Sequence, residues 1–509
     1  MSISENNKRI AHNTMILYVR MFVMVFINFF TTRVVLNALG VEDYGVYNVV
    51  GGLVAMFSLL SSSLTSASGR FITFALGEGN LEKQKRVFAT TINIHLILAI
   101  LVFIVSELLG VWFLNNKMNI PDYRMYAANW VLQSSIIVFV LSILIVPYRS
   151  LTIAHERMSV FAWITMIDGI FKLVVAYIIH YYAGDRLILY ALLLIIPNLI
   201  SIIAYYCYCK QHFSECHCTF VWDMTIFRKM VGFSVWNFIG CAAIMLKDQG
   251  VNILINLFFA PVVNAARGIA MQVSNVVNLF ASNLMISLNP QITKYYASGD
   301  LTSMHRLVFY GTRLSYYLFM FIAIPAFFEC ETILMLWLGQ VPEHTVLFVR
   351  MILILFLVDI FSGPLNTSQN ATGCVRNYQL VIGGISILNF PLSYLVLKLG
   401  YWPESTVVVS IFVSLICLVA RLCFLRKSVS LRVRDFVNQV FLNTFTVTLF
   451  SVVVPLVCYY FIGHYLIRFF AVCISSVVMS SVVIYFIGCN SWERGVLRGY
   501  ILKVLKKGL

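Results

Sequence analysis

Apolar runs of about 20 residues, each long enough to cross a hydrocarbon core of about 30 Å, recur from Asn13 almost to the end of this sequence. Nothing else constrains the fold as strongly, because a chain in lipid must satisfy every backbone N–H and C=O internally. The runs rise and fall over about 20 to 25 residues and lack the alternation of membrane strands of about 10 residues, so they read as helices and not as a barrel. The composition agrees: of 509 residues, 60% are hydrophobic and 11% charged, far from the roughly 25% charge of soluble chains. The first run, 14–39, is too long for a signal-peptide core and has no small-x-small cleavage site, so we expect it to remain as the first helix.

The pattern predicts an all-α integral membrane protein with helices at about 14–38, 44–68, 88–113, 126–146, 158–182, 187–207, 231–258, 268–289, 307–328, 346–365, 378–398, 405–424, 436–461 and 469–488. A net charge of +15 would suit nucleic acid only on a soluble basic face, which this pattern leaves no room for. Topology accounts for it instead. Alternate loops carry about 24 Lys and Arg on one side and about 6 on the other, which makes the basic side, with both termini, the expected cytoplasmic one. Arg70, Lys83, Lys85 and Arg86, then Arg421, Arg426, Lys427, Arg432 and Arg434, then Arg494, Arg498, Lys503, Lys506 and Lys507 contribute most. Topogenesis suffices for these clusters, with binding of anionic membrane lipids as the alternative.

No loop exceeds about 20 residues, too short for a soluble catalytic domain of 50 or more, so we expect no enzyme. Within the chain, Ile72-Thr73, Gly79-Asn80-Leu81 and Arg86 match Ile292-Thr293, Gly299-Asp300-Leu301 and Arg306 at one constant offset of about 220 residues. Pro147 and Ala154 pair more loosely with Pro364 and Ala371. Six helices separate the copies, so the repeat is parallel. It divides the chain into a six-helix lobe at 1–210, a second at 211–430, and two extra helices with a basic tail at 431–509. Parallel repeats are a transporter architecture, with substrate between lobes that rock.

The stretch Arg33-Val-Val-Leu-Asn37-Ala-Leu39-Gly40-Val-Glu42-Asp43-Tyr44-Gly45-Val-Tyr47 resembles the signature of bacterial polysaccharide transporters. These O-antigen and capsule flippases belong to the superfamily that also holds multidrug exporters. The segment 69–86 is also similar to theirs, and the helix plan matches over nearly the whole chain. The resemblance implies a bacterial inner-membrane flippase that carries undecaprenyl-pyrophosphate-linked oligosaccharide to the periplasmic leaflet. It further implies polysaccharide assembly proteins as partners and a groove for the lipid tail on helices thirteen and fourteen. In the motif itself, Gly40 and Gly45 are expected to permit a tight turn, with Glu42 and Asp43 in a loop free of basic residues.

Ionisable side chains inside spans are functional candidates by default, since each costs a few kcal/mol to insert. Asp168 and Lys172, four apart, should share a helix face and pair. Lys247 and Asp248, about 100° apart, cannot both face one partner. We expect Lys247 to attract the pyrophosphate, with Arg20, Arg33 and Arg313 as further substrate-binding candidates, since guanidinium suits phosphate. Arg33, Arg267 and Arg313 lie near helix ends and can snorkel instead. Asp359, Glu107 and His95 are candidates for coupling to H⁺ or Na⁺. A drug or metabolite cation antiporter remains the alternative, and its cavity would favour acids over bases. No cofactor is expected. The cluster Cys207, Cys209, His212, Cys216, His217 and Cys218 has zinc-ligand residue types but not zinc spacing, so no metal is expected either.

Overall fold

The computed structural model describes residues 3–55, 57–118, 120–216, 222–259, 261–338, 341–490 and 493–495. Among them there is no strand. The spans are α1 (His12–Gly40), α2 (Glu42–Val54 and Ser58–Glu78, bent by 52°), α3 (Leu81–Lys117), α4 (Asp122–Ala154), α5 (Met158–Tyr181), α6 (Arg186–His212), α7 (Met224–Phe258), α8 (Val262–Ala297), α9 (Leu301–Phe328), α10 (Thr345–Thr372), α11 (Arg376–Lys398), α12 (Ser405–Ser428), α13 (Val433–Phe461) and α14 (Tyr465–Gly488). Thirteen are long and apolar enough to cross a membrane, fourteen with the bent pair taken as one. Every expected helix is present, most extended by several residues at their polar ends. Of the basic tail, Arg498, Lys503, Lys506 and Lys507 lie outside the described residues.

The breaks follow from residue chemistry. Gly40, at φ 79° and ψ 170°, separates α1 from α2, a conformation that a Cβ would strain. Gly45, expected in the same turn, instead lies inside the helix that begins α2. Three prolines interrupt their spans about one turn upstream, where each removes an N–H and leaves a carbonyl unbonded. Pro197 follows the break at Leu194 in α6, Pro364 the break after Asp359 in α10, and Pro391 the break at Leu388 in α11. Pro325 and Pro455 sit in unbroken helix.

The internal repeat has a structural counterpart. Gly79 and Gly299 both adopt left-handed φ, 74° and 78°, and each ends one helix two residues before Leu81 or Leu301 begins the next. Asn80 caps α3 by accepting from the Lys83 N–H at 3.1 Å, and Asp300 stands at the equivalent position.

Packing defines two compact units. Unit 1 comprises 1–242 together with 286–300 and 373–379, and unit 2 comprises 243–285, 301–372 and 380–509. In unit 1, α4 is the central helix, burying Ala127, Ala128, Val131, Leu132 and Ile136 against Val46, Val50 and Val54 of α2 and Leu187 of α6. Small buried residues such as Ala127 and Ala128 let helices approach where lipid offers no hydrophobic drive. In unit 2, the pair α13 and α14 packs on α9 through Tyr316 and Thr448, whose hydroxyls are 2.9 Å apart. Buried charges fasten the same contact. Arg468 of α14 forks onto Glu329, just after α9, at 2.8 and 3.3 Å, and Thr332 donates to the same carboxylate at 2.6 Å.

Candidate functional site

Unit 2 holds the densest group of charges inside spans. Lys247 and Asp248 lie on α7, Arg267 on α8 and Asp359 on α10, and Asp248 feels the charges of the other three. Arg267 is only 7% exposed. It does not snorkel to water but donates to Asn252 of α7, which in turn donates to Gln249 at 3.1 Å. Its Nε is buried with no hydrogen-bond partner. Among the described residues, Lys247, Asp248 and Asp359 make no hydrogen bond or ion pair, although all three are partly buried. Charges held without a direct ion pair or hydrogen bond are candidates for contact with a ligand or an ion.

Unit 1 treats its charges differently. Lys172 and Asp168 of α5 form the expected pair at 2.7 Å, with Ser201 of α6 at 3.5 Å from the other carboxylate oxygen. Glu107 of α3 accepts from Gln133 of α4 at 2.9 Å, and it lies in a one-turn π segment, 106–110, a distortion often found at functional positions. The Arg20 guanidinium of α1 lies over the Phe161 ring at 4.6 Å, a favourable cation–π arrangement. Arg33 is exposed and, among the described residues, without an ion pair or hydrogen bond. His95 is 1% exposed, its Nδ1 2.9 Å from the Thr91 carbonyl and its Nε2 without a partner.

Arg313 departs from the expectation of a snorkelling or substrate-facing base. It is buried in unit 2, where it pairs with Glu493 and lies 3.3 Å from the Gly488 carbonyl. Its charge is already engaged at the end of α14. The acids of the motif also differ from expectation. Asp43 is not in a loop free of bases but is gripped by the Arg124 fork, which also reaches Asp185 at 2.8 Å, while Tyr123 donates to Glu42. These residues tie α2, α4 and the α5–α6 connection together at the end away from the basic loops. Arg124 had a readable signal in the sequence, as one of the few bases in the base-poor set of loops; the long-range pairs Glu329–Arg468 and Glu156–Lys294 had none.

Cys209 is buried, 3.5 Å from the Thr152 hydroxyl and 3.6 Å from the Tyr148 carbonyl, and His212 is engaged with the Tyr208 carbonyl at 3.0 Å. Among the described residues no three His, Cys, Asp or Glu side chains are placed to hold a metal, and His217 and Cys218 lie outside the described residues. Nearby, Glu215 meets His155 Nε2 at 3.1 Å. Burial pushes the Glu215 carboxyl up, but the His155 bond and nearby hydrogen bonds outweigh it and hold the group below its ordinary value.

No family model matches the chain, and no curated protein does. Solved structures do match. An outward-facing multidrug resistance MATE family transporter of the MOP superfamily is 11% identical, with TM-score 0.72 over 84% of this chain and 96% of that one. The MATE transporter ClbM in complex with Rb⁺ is 13% identical with TM-score 0.69 over the same shares. A MOP superfamily transporter from Pyrococcus furiosus, described by the reverse polarity of its binding pocket, is 11% identical with TM-score 0.70, again over 84% and 96%. At such identity the likeness is one of fold, and the fold of this chain is that of the MATE transporters.

Proposed function

We propose that this protein is a transporter working by alternating access, with 1–210 and 211–430 as its moving lobes and 431–509 as an added helix pair and tail. Its cargo is a lipid-linked oligosaccharide, which enters as the undecaprenyl pyrophosphate from the cytoplasmic leaflet of a bacterial inner membrane and leaves in the opposite leaflet. The observation that carries this reading is Lys247, a partly buried ammonium in a span with no ion pair or hydrogen bond among the described residues. An ammonium in a medium of low dielectric is a strong site for pyrophosphate. Arg20 and Arg33 add positive charge in unit 1, and the stretch Arg33 to Tyr47 adds the motif resemblance. Polysaccharide assembly proteins are the partners expected on this reading.

A second reading, export of cationic drugs or metabolites in exchange for H⁺ or Na⁺, is favoured by a solved neighbour that is a multidrug resistance MATE family transporter. Asp248 and Asp359, also without ion pairs, would serve that role. Deleting the gene separates the two. The flippase reading expects loss of surface polysaccharide and accumulation of lipid-linked glycan inside, reversed by the wild-type gene. Unchanged glycan with raised sensitivity to cationic drugs would replace it with the antiporter.

A further inference from the structure

The repeat offset that pairs Pro147 with Pro364 and Ala154 with Ala371 also carries Glu156 onto Gly373. Both have left-handed backbones, φ 60° and 77°, so the connections after α4 and after α10 turn in the same way. Each meets the basic-loop end of a helix from the opposite copy of the repeat. The Glu156 side chain is 1% exposed and accepts from Lys294 Nζ at 2.7 Å and Gln291 Nε2 at 2.6 Å, both on α8. Asn13 donates to the Glu156 carbonyl at 3.2 Å. In the reciprocal contact, Gly373 lies under Arg70 of α2, whose Nη2 is 2.6 Å from where a Cβ would stand, while the guanidinium covers Phe71 and Phe74 at 4.5 and 4.8 Å.

The two helix ends also meet. A Cβ on Gly77 would stand 2.7 Å from Ala297 Cβ and 3.1 Å from the Lys294 backbone, and the rings of Phe74 and Tyr296 are 6.3 Å apart. All these residues belong to unit 1, although α8 begins in unit 2. Because α8 begins in unit 2 and ends in unit 1, any rearrangement of its end must break the contacts that hold it there. The two contacts differ in what release requires. Arg70 keeps the rings of Phe71 and Phe74, on its own helix, under its guanidinium. Glu156 is a nearly inaccessible carboxylate held directly by Lys294 and Gln291, so release of α8 breaks a buried ion pair and a hydrogen bond together.

We propose that Glu156 and Lys294 are the latch that holds the end of α8 shut on unit 1, and that breaking this pair is the step that opens the basic-loop end for loading. The inference rests on the transporter reading. The pair positions α8; it does not touch cargo.

The test uses Ser287→Cys on the full chain, because Ser287 is 1% exposed beneath the latch and hydrogen-bonded to Thr14 at 2.9 Å. A membrane-impermeant maleimide is applied to each face of sealed vesicles, and modification at position 287 is followed by peptide mass spectrometry. We expect slow labelling in this parent and at least tenfold faster labelling after Glu156→Gln. Gly77→Leu, which wedges the helix ends apart, should match that acceleration, and the swap Glu156→Lys with Lys294→Glu should restore the slow rate. Labelling within twofold of the parent in folded Glu156→Gln and Gly77→Leu overturns the latch. Where Glu156→Gln fails to accumulate, Lys294→Met replaces it, and an unchanged rate there also overturns it. The readout needs no transport assay, so the latch and the transporter reading can fail separately. Altered labelling in a protein that moves no glycan leaves the latch standing; lost export with unaltered labelling removes it.

Discussion

The charges of α5 and those of α7 face the same problem and meet it differently. On α5, Asp168 and Lys172 neutralise each other within one helical turn. On α7, Lys247 and Asp248 are neighbours in sequence yet form no pair, and Asp359 across from them on α10 forms none either. A pair four residues apart lowers its own insertion cost and asks nothing of the rest of the protein. Charges left without a partner carry a cost that folding alone does not repay, and on the function we propose they make α7 and α10, rather than α5, the region to test in the membrane interior.

The comparison becomes sharper at its extreme, the buried fork of Arg468 on Glu329. Glu329→Gln should destabilise unit 2 by about 3 kcal/mol, the low end for breaking a buried pair, because Arg468 keeps some solvent contact. Chemical denaturation in detergent measures this; a change under about 1 kcal/mol would show that the charge is unimportant there. Asp168→Asn should cost about 1 kcal/mol, since Lys172 is 39% exposed and water compensates much of the loss. Lys247→Met removes no partner, so its stability should stay within about 0.5 kcal/mol of wild type. A larger loss would mean that Lys247 has a structural partner after all and would erase the contrast.

Why some of this was readable in the sequence, and some was not, follows from distance along the chain. The spans are local properties of hydropathy, and each expected helix is found. The Gly79 and Gly299 turns were visible as repeats because each glycine answers to its own backbone. Asp168 and Lys172 were visible because helical geometry alone brings them together. Glu156 and Lys294, separated by 138 residues, meet only once α8 has folded back on unit 1. The Arg313 pair is hidden for the same reason, since its acid, Glu493, lies 180 residues on.

The smallest expected effect lies outside the spans. His155 and nearby hydrogen bonds hold the Glu215 carboxyl below its ordinary value, so this group stabilises the fold above the unfolded pKa of about 4.3, and the contribution is lost as pH falls through its folded value. Wild type should therefore melt slightly above Glu215→Gln at pH 7, and the gap should close below about pH 4. A gap independent of pH would assign the difference to packing.

The claim that function resides in the charges without partners is tested most directly by one complementation experiment. In the deletion strain, lipid-linked glycan is quantified with Lys247→Met on one side and the neutralised pair Asp168→Asn with Lys172→Met on the other. Our account predicts that the first accumulates precursor like the deletion, at normal protein level, while the second exports at least half as much as wild type. Normal export by Lys247→Met alongside failure of the neutralised pair would contradict it and move the functional region to α5.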